Sequence, residues 1–128
     1  MIRSEPVILH DAGFYDGWDD ERRGCVQWRT LFSADRTPTE GMTAGVAEIQ
    51  PGQQLNVHQH PQTELYYFLA GEGVLMIVGT DQPVRPGSAV FIPGNAAHGV
   101  RNIGPTTLRF FYVFGVDSFS EVEYSFQK

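Results

Sequence analysis

Three of the four histidines in this 128-residue chain lie in two short stretches that are rich in glycine and proline. His58 and His60 stand two residues apart, a spacing that puts both side chains on the same face of a β-strand. Glu64 follows a turn-prone Pro-Gln-Thr stretch and can begin the returning strand, and His98 arrives from a later pair of strands. Three imidazoles and one carboxylate predict a site for a divalent first-row metal ion.

Composition predicts one compact domain spanning residues 1–128. A chain of this length buries roughly two-thirds of the surface that it exposes when unfolded. Fourteen glycines and eight prolines recur at short intervals, which is typical of short strands and turns rather than long helices. The formal net charge of −6 argues against nucleic acid as a partner, because binding to phosphates requires basic patches.

The sequence also indicates a compartment. The single cysteine, Cys25, cannot form an internal disulfide, which is typical of proteins that fold in a reducing environment. The first residues lack the apolar centre of a signal peptide, and no apolar run approaches the roughly 20 residues that a helix needs to cross a bilayer. We therefore predict a cytoplasmic protein with no membrane partner.

Short apolar segments alternate with turn signals along most of the chain. Residues 11–24, which mix charged residues and glycines with aromatics, predict a surface arm or a short helix, and Gly71-Glu72-Gly73 predicts a tight hairpin. Many short, evenly spaced strands indicate an all-β fold, an antiparallel jelly-roll β-barrel with a short N-terminal arm. The predicted strands are Cys25–Phe32, Thr43–Ile49, Leu55–His60, Glu64–Ala70, Val74–Val78, Ala89–Ile92, Gly99–Asn102 and Leu108–Phe114.

Alternation along Glu64–Ala70 assigns the two faces of that strand. Glu64, Tyr66 and Phe68 share one side, which faces the barrel interior if Glu64 faces a metal. The other side is apolar too, as are both sides of Leu108–Phe114, and a strand that is apolar on both faces is covered on both. We predict that a homodimer provides the cover; the alternative is that the N-terminal arm does. The outward residues are Leu65, Tyr67 and Leu69.

Both histidine-containing stretches resemble the two sequence motifs of the cupin family. Residues 52–71 match the first motif, G-x5-H-x-H-x3-E-x6-G, at every position. Residues 87–102 match the second, G-x5-P-x-G-x2-H-x3-N, except that Asn95 replaces a glycine. Because Asn tolerates positive φ best among the other residue types, we expect the turn to be preserved. The resemblance implies one cupin domain whose metal ligands are His58, His60, Glu64 and His98.

A closer resemblance covers residues 26–124. The stretches Ala47-Glu48-Ile49-x-Pro51-Gly52, Glu64-Leu65-Tyr66, Gly94-Asn95-Ala96-x-His98 and Phe119-Ser120-Glu121-Val122-Glu123-Tyr124 are similar to those of single-domain cupin lyases that cleave dimethylsulfoniopropionate. That resemblance implies a carbon–sulfur lyase in which the substrate carboxylate binds the metal. It also implies that Tyr66 removes the proton from the adjacent carbon and that Tyr124 belongs to the active site. The metal can be Fe²⁺, Mn²⁺, Ni²⁺, Co²⁺ or Zn²⁺, since the ligand set suits all five.

Other interpretations of the same residues stay open. Tyr66 can be a core aromatic with its hydroxyl hydrogen-bonded, and Tyr124 a packing residue. The four ligands also suit a non-haem dioxygenase, an isomerase of a small organic acid, or a barrel that binds a small molecule unchanged. Arg101 and Arg109 can hold a substrate carboxylate, although alternation places Arg101 opposite His98. Aromatic walls suit a cationic sulfonium, and the candidates are Trp28, Phe68, Phe110, Tyr112 and Tyr124.

Overall fold

A computed structural model describes residues 5–11 and 15–126, whose regular structure is almost entirely β-strand. A single 3₁₀ turn, Phe119–Glu121, interrupts the described strands. No helix in these two ranges is long and apolar enough to cross a membrane. The strands are β1 (Tyr15–Asp20), β2 (Gly24–Phe32), β3 (Thr43–Ile49), β4 (Gln54–Gln59), β5 (Glu64–Ala70), β6 (Gly73–Ile77), β7 (Thr80–Val84), β8 (Ala89–Ile92), β9 (His98–Asn102), β10 (Leu108–Phe114) and β11 (Ser125–Phe126).

The strands form one curled antiparallel sheet in the order β7-β6-β9-β4-β2-β3-β10-β5-β8. Strands β4 and β2 meet only at the pair Leu55 and Gly24, so the sheet divides there into two halves. Both halves contribute to a shared apolar core, for example Leu75 and Val100 from one half and Phe68 from the other. Strand β1 adds to β2, and β11 adds to β4. The predicted all-β jelly-roll barrel is confirmed.

Most predicted strands are confirmed, and four of them match residue for residue: β3, β5, β8 and β10. In β5 and β10, more buried and less buried side chains alternate along the strand, as in a half-buried strand. In β5, the side chains of Tyr66 and Phe68 are buried, while those of Leu65, Tyr67 and Leu69 are exposed. The predicted inward and outward faces of this strand are therefore correct.

The prediction of a surface arm or short helix over residues 11–24 was wrong. Residues 15–20 form β1, which pairs along β2 from Tyr15–Arg29 to Asp20–Gly24; residues 12–14 of the predicted arm lie outside the described residues. An ion pair between Asp20 and Arg23 closes the turn, and Gly24 adopts a φ of +94° there. Most side chains of β1 are polar or exposed, and Trp18 is the one that packs against the core. The sequence therefore gives only a weak signal for a strand here.

The predicted hairpin at residues 71–73 was also wrong, because β5 and β6 do not pair with each other. The chain instead crosses from one half of the sheet to the other at this point. Gly71 has a φ of +85°, and a Cβ there would lie 2.6 Å from the carbonyl oxygen of Thr107. The hairpin in this region joins β6 to β7 through Val78 and Gly79, both of which have positive φ.

Inward side chains are stacked in cross-strand rows that lead from the apolar core to a polar end. Phe68 pairs with Phe110 in the core, and Tyr66 pairs with Tyr112 in the next row. The row after that pairs Glu64 with Phe114. This register puts the carboxylate at the end of the barrel where the predicted ligands gather.

Candidate metal centre

The four predicted ligands come from strand ends that meet at one end of the barrel. His58 lies in β4 and His60 immediately follows that strand, with Gln59 exposed between them. Glu64 begins β5, and His98 begins β9 directly opposite His58 in register. All four side chains are almost fully buried. The structure therefore brings together the residues that the sequence motifs singled out.

The three imidazoles make the same backbone contact through Nδ1, which leaves each Nε2 as the available ligand atom. Each Nδ1 lies within hydrogen-bonding distance of a backbone carbonyl: His58 at 2.7 Å from Asn56, His60 at 2.8 Å from Gln62, and His98 at 2.8 Å from Ala96. A carbonyl oxygen only accepts, so each Nδ1 must carry the proton and donate it. The ligand atoms of the three rings lie within 4.8 Å of one another.

The Glu64 carboxylate completes the set. Its Oε1 lies 3.1 Å from His60 Nε2 and 3.3 Å from His98 Nε2, and His98 Nε2 has no hydrogen-bond partner among the described residues. Burial lowers the pKa of His58 to about 3, and His98 adds to the shift, which keeps this ring neutral. Metal binding requires neutral imidazoles and ionised carboxylates, and a divalent cation would be a common partner for these ligand atoms. The donor set therefore fits a divalent metal ion.

A tight loop holds His60, the second of the four predicted ligands, in place. The backbone N–H of Asn95 donates to the carbonyl oxygen of His60 at 2.7 Å, and a Cβ on Gly94 would lie 2.2 Å from the carbonyl oxygen of Pro61. Asn95 has a φ of 67°. The prediction that Asn95 preserves the positive-φ turn of the motif is confirmed.

Tyr66 and Tyr124 both reach the centre. The Tyr66 ring lies 6.0 Å from the His98 ring, and the Tyr124 ring lies 5.4 Å from both His58 and His60. Burial raises the pKa of Tyr66 well above its usual value, and the charge of Glu64 raises it further. Burial and Glu64 raise the pKa of Tyr124 in the same way. Without a cation nearby both phenols keep their protons at neutral pH.

A small, mostly apolar cavity adjoins the ligands. His58, Glu64, Tyr66 and Tyr124 line one part of it, and Phe68 is absent from its walls. The sequence-based set of wall residues therefore included Phe68 wrongly and missed Trp18 and Phe119. The remaining described lining residues are Trp18, Val26, Trp28, Ala47, Leu55, Phe110, Tyr112 and Phe119.

Trp18 and Phe119 reach the cavity from segments that look peripheral in the sequence. Trp18 packs against Trp28 at 4.9 Å and Tyr124 at 5.0 Å between ring centroids. Phe119 follows β10, and its backbone N–H donates at 2.9 Å to the Ser33 hydroxyl. For Trp18, the only local signal is the alternation within residues 15–20. For Phe119, no alternation or spacing in the sequence indicates a position on the cavity.

The two arginines considered as carboxylate binders lie elsewhere. Arg101 forms an ion pair with Asp81 at 3.7 Å, and Arg109 forms one with Glu48 at 3.0 Å. Both side chains are partly exposed, and neither lines the cavity. The alternation argument against Arg101 is consistent with this position.

An antiparallel barrel that gathers three histidines and a glutamate at one end defines a class of small β-barrel proteins. Residues 45–114, more than half of the chain, match the cupin domain family. The chain belongs to the cupin family.

Known relatives of the chain include proteins of different activities. It is 42% identical to the dimethylsulfoniopropionate lyase DddW of Ruegeria pomeroyi over 86% of this chain and 72% of that protein. It is 30% identical to an oxalate-binding protein of Thermotoga maritima over 71% of this chain and 76% of that protein. The crystal structure of a predicted oxalate decarboxylase from Thermotoga maritima superposes with a TM-score of 0.71 at 28% identity, covering 80% of this chain and 91% of the other.

Proposed function

We propose that the protein is a metal-dependent carbon–sulfur lyase that converts dimethylsulfoniopropionate into dimethyl sulfide and acrylate. The observation that carries the proposal is the cluster of three buried histidines beside Glu64, next to a cavity that His58, Glu64, Tyr66 and Tyr124 line. Its support from known proteins is the 42% identity to DddW over most of both chains. We propose His58, His60, Glu64 and His98 as the metal ligands.

The chain's own residues can bind and deprotonate such a substrate. A divalent metal held by the four ligands would polarise the substrate carboxylate and favour the phenolate of a nearby tyrosine. We assign Tyr66 as the base that takes a proton from the carbon next to the carboxylate, since it lies one pleat from Glu64. The electrons of that C–H bond form the new C=C bond, the C–S bond breaks, and its electron pair leaves with dimethyl sulfide. Acrylate remains.

Aromatic side chains surround the space that a sulfonium would occupy. Trp18, Trp28, Phe119 and Tyr124 pack edge to face around the cavity. Aromatic faces attract cations in water-poor surroundings, which suits a methylated cation. We propose Tyr124 as a wall of the active site, in contact with the substrate.

The proposal can be tested by reconstitution with single metals. Protein loaded separately with Fe²⁺, Mn²⁺, Ni²⁺, Co²⁺ or Zn²⁺ should release dimethyl sulfide from the substrate into the headspace with at least one of them. The variant His98→Ala should bind less metal and release far less product, while His10→Ala, at an exposed position, should behave like the wild type. Absence of release with every metal would reject the lyase.

A second candidate is a barrel that binds a small carboxylate without changing it. The 30% identity to an oxalate-binding protein over 71% of the chain favours this alternative. Calorimetry with oxalate, followed by analysis of the recovered ligand, separates the two. Tight binding of unchanged oxalate together with no lyase activity would favour the binding function, whereas oxygen uptake with a candidate acid would indicate a dioxygenase.

We also propose that the protein is a homodimer, formed through the outer face of the sheet. Leu65 lies beside Phe91 across β5 and β8, and Leu65 pairs on its other side with Val113 of β10. Phe91 is 70% exposed. The described residues of the N-terminal segment leave this face open, so they do not provide the alternative cover. Exposed apolar residues that adjoin one another on one face mark an interaction surface.

A second copy of the chain is the occupant that we propose for this face. Light scattering coupled to gel filtration should give twice the mass of the 14.3 kDa chain. Leu65→Lys should give the monomer mass and keep the metal content, because Leu65 points away from the ligands. A monomeric wild-type protein would reject the dimer. We propose a cytoplasmic location as well, which fractionation of the native cells tests.

A further inference from the structure

Trp28 Nε1 has no hydrogen-bond partner among the residues that the structure describes, and the hydroxyls of Thr30 and Tyr112 have none except each other. Trp28 is 8% exposed and Tyr112 is 5% exposed, and both side chains line the cavity. Leaving a buried donor unpaired costs about 1–3 kcal/mol. The unpaired indole N–H of Trp28 therefore calls for a hydrogen-bond acceptor on a bound ligand.

The strand register puts these groups beside the proposed catalytic tyrosine. Thr30 and Tyr112 both pair with Gly45, from opposite sides, and Tyr112 pairs with Tyr66 on its far side. A Cβ at position 45 would lie 2.3 Å from the Tyr112 hydroxyl oxygen. Glycine at this position therefore makes room for the hydroxyl to lie over the backbone of β3.

Trp28 precedes Thr30 by two residues on the same face of β2 and lies closer to the apolar core. The ring of Phe119 contacts both Trp28 and Tyr112. The Phe119 ring lies 5.7 Å from the Trp28 ring and 6.3 Å from the Tyr112 ring. The three side chains form one continuous wall of the cavity. The indole N–H and the phenol O–H thus belong to the same cavity as the metal centre.

The partner of these groups must be an acceptor. An indole N–H donates and never accepts. Burial raises the pKa of Tyr112, although a side-chain hydrogen bond with Thr30 opposes part of that rise, so this phenol carries its proton at neutral pH. A hydrogen bond between the hydroxyls of Thr30 and Tyr112 would use one of their two protons and leave the other available. A sulfonium accepts nothing, whereas a carboxylate accepts through both of its oxygens.

We propose that Trp28 Nε1–H and Tyr112 Oη–H form a donor subsite that binds one carboxylate oxygen of the ligand. The inference rests on the proposed function in taking the ligand to be a small carboxylate. The other carboxylate oxygen would bind the metal ion held by the imidazoles and Glu64. The subsite fixes which end of the substrate enters first and presents the carbon beside the carboxylate to Tyr66.

Calorimetry with sodium propionate, a carboxylate without a sulfonium, tests the subsite apart from turnover. The protein is loaded with Zn²⁺, and the affinity for propionate is compared among variants. Tyr112→Phe should weaken binding about tenfold, as expected for a lost hydrogen bond to a charged group. Tyr67→Phe, the same change on the outer face, should leave the affinity unchanged. Trp28→Phe removes the second donor and should also weaken binding, which keeps the test available if Tyr112→Phe fails to fold.

A thermal melt of the ligand-free protein distinguishes a binding role from a structural one. Because Tyr112→Phe loses at most the hydrogen bond to the Thr30 hydroxyl in the free protein, it should melt within about 5 °C of the wild type. An unchanged propionate affinity in Tyr112→Phe, or no propionate binding by the wild type, would overturn the subsite. A tenfold loss of affinity in a protein that releases no dimethyl sulfide would reject the lyase and keep the subsite.

Discussion

Strand β5 presents two faces of the same barrel wall with opposite consequences. Tyr66 and Tyr67 are neighbours in this strand, yet Tyr66 is 2% exposed and Tyr67 is 44% exposed. Tyr66 lies beside the carboxylate of Glu64, and its pKa is raised by burial and by that charge. On the outer face, Tyr67 lies among apolar side chains that open to solvent. Two residues of one type therefore acquire different chemistry from alternation alone.

The difference teaches where single changes should matter. Inward positions couple to the ligands, to the cavity and to the core through the cross-strand rows. Outward positions couple to the proposed second copy of the chain and to little else. Paired substitutions at adjacent positions on the two faces test this division directly.

The largest expected difference concerns turnover by Tyr66→Phe and Tyr67→Phe. Loss of a general base slows a reaction by about 10²–10⁴-fold, so Tyr66→Phe should lose almost all dimethyl sulfide release while its metal content stays near normal. Tyr67→Phe should keep full activity. Headspace measurement and elemental analysis of both variants provide the comparison. Full activity in Tyr66→Phe would remove Tyr66 from the role of base.

The free energy of unfolding should show the same difference between inward and outward side chains at Phe68 and Leu69. Phe68 is fully buried and Leu69 is 41% exposed. Phe68→Ala should lower the free energy of unfolding by about 3–5 kcal/mol because it leaves a cavity in the core. Leu69→Ala should lower it by less than about 0.5 kcal/mol. Urea unfolding at low protein concentration measures both, and a Leu69→Ala effect that grows with concentration would mean that a second chain buries this residue.

The buried His58 should make the metal-free protein sensitive to acid. Burial, with a further contribution from His98, lowers the pKa of His58 to about 3, whereas a histidine in an unfolded chain titrates near about 6.5. Between these pH values the unfolded chain binds a proton that the folded protein does not bind. The free energy of unfolding should therefore fall as the pH falls, by up to about 1.4 kcal/mol per pH unit.

Two variants test whether His58 causes that acid sensitivity. His58→Gln should flatten the decline between pH 6 and pH 4, while His10→Gln, at an exposed position, should leave it unchanged. Urea unfolding of the metal-free proteins across this range gives the slopes. Equal slopes in His58→Gln and the wild type would assign the sensitivity to other groups.

The smallest effect is expected at a turn that belongs to neither face. Val78 has a φ of 46° in the β6–β7 hairpin, whereas Asn95 has a φ of 67° in the loop that holds His60. Positive φ is unfavourable for a β-branched residue and tolerated by Asn. Val78→Asn should therefore raise the free energy of unfolding by about 1 kcal/mol. Asn95→Val should lower it by a similar amount, and no gain in Val78→Asn would mean that the hairpin relaxes its strain elsewhere.

Local sequence signals predicted most of the barrel wall. Short apolar segments between turn signals gave the boundaries of β3, β5, β8 and β10, and the motif spacing selected four ligands that the fold brings together. Pairing between distant strands was harder to predict. The segment at residues 71–73 carries glycines that suit a hairpin, but its neighbours β5 and β6 find their partners elsewhere. Turn propensity is local, whereas the choice of partner depends on the whole sheet.

The sequence by itself determined the period-2 faces, the cupin motifs and the spacing of His58, His60 and Glu64. These properties depend on residues a few positions apart, where backbone geometry dictates which side chains share a face. Only the tertiary structure decided that β1 carries Trp18 to the cavity and that Phe119 reaches it after β10. It also decided that Trp28 keeps an unpaired donor there. Such properties depend on which strands meet after folding, and no local pattern encodes those long-range contacts.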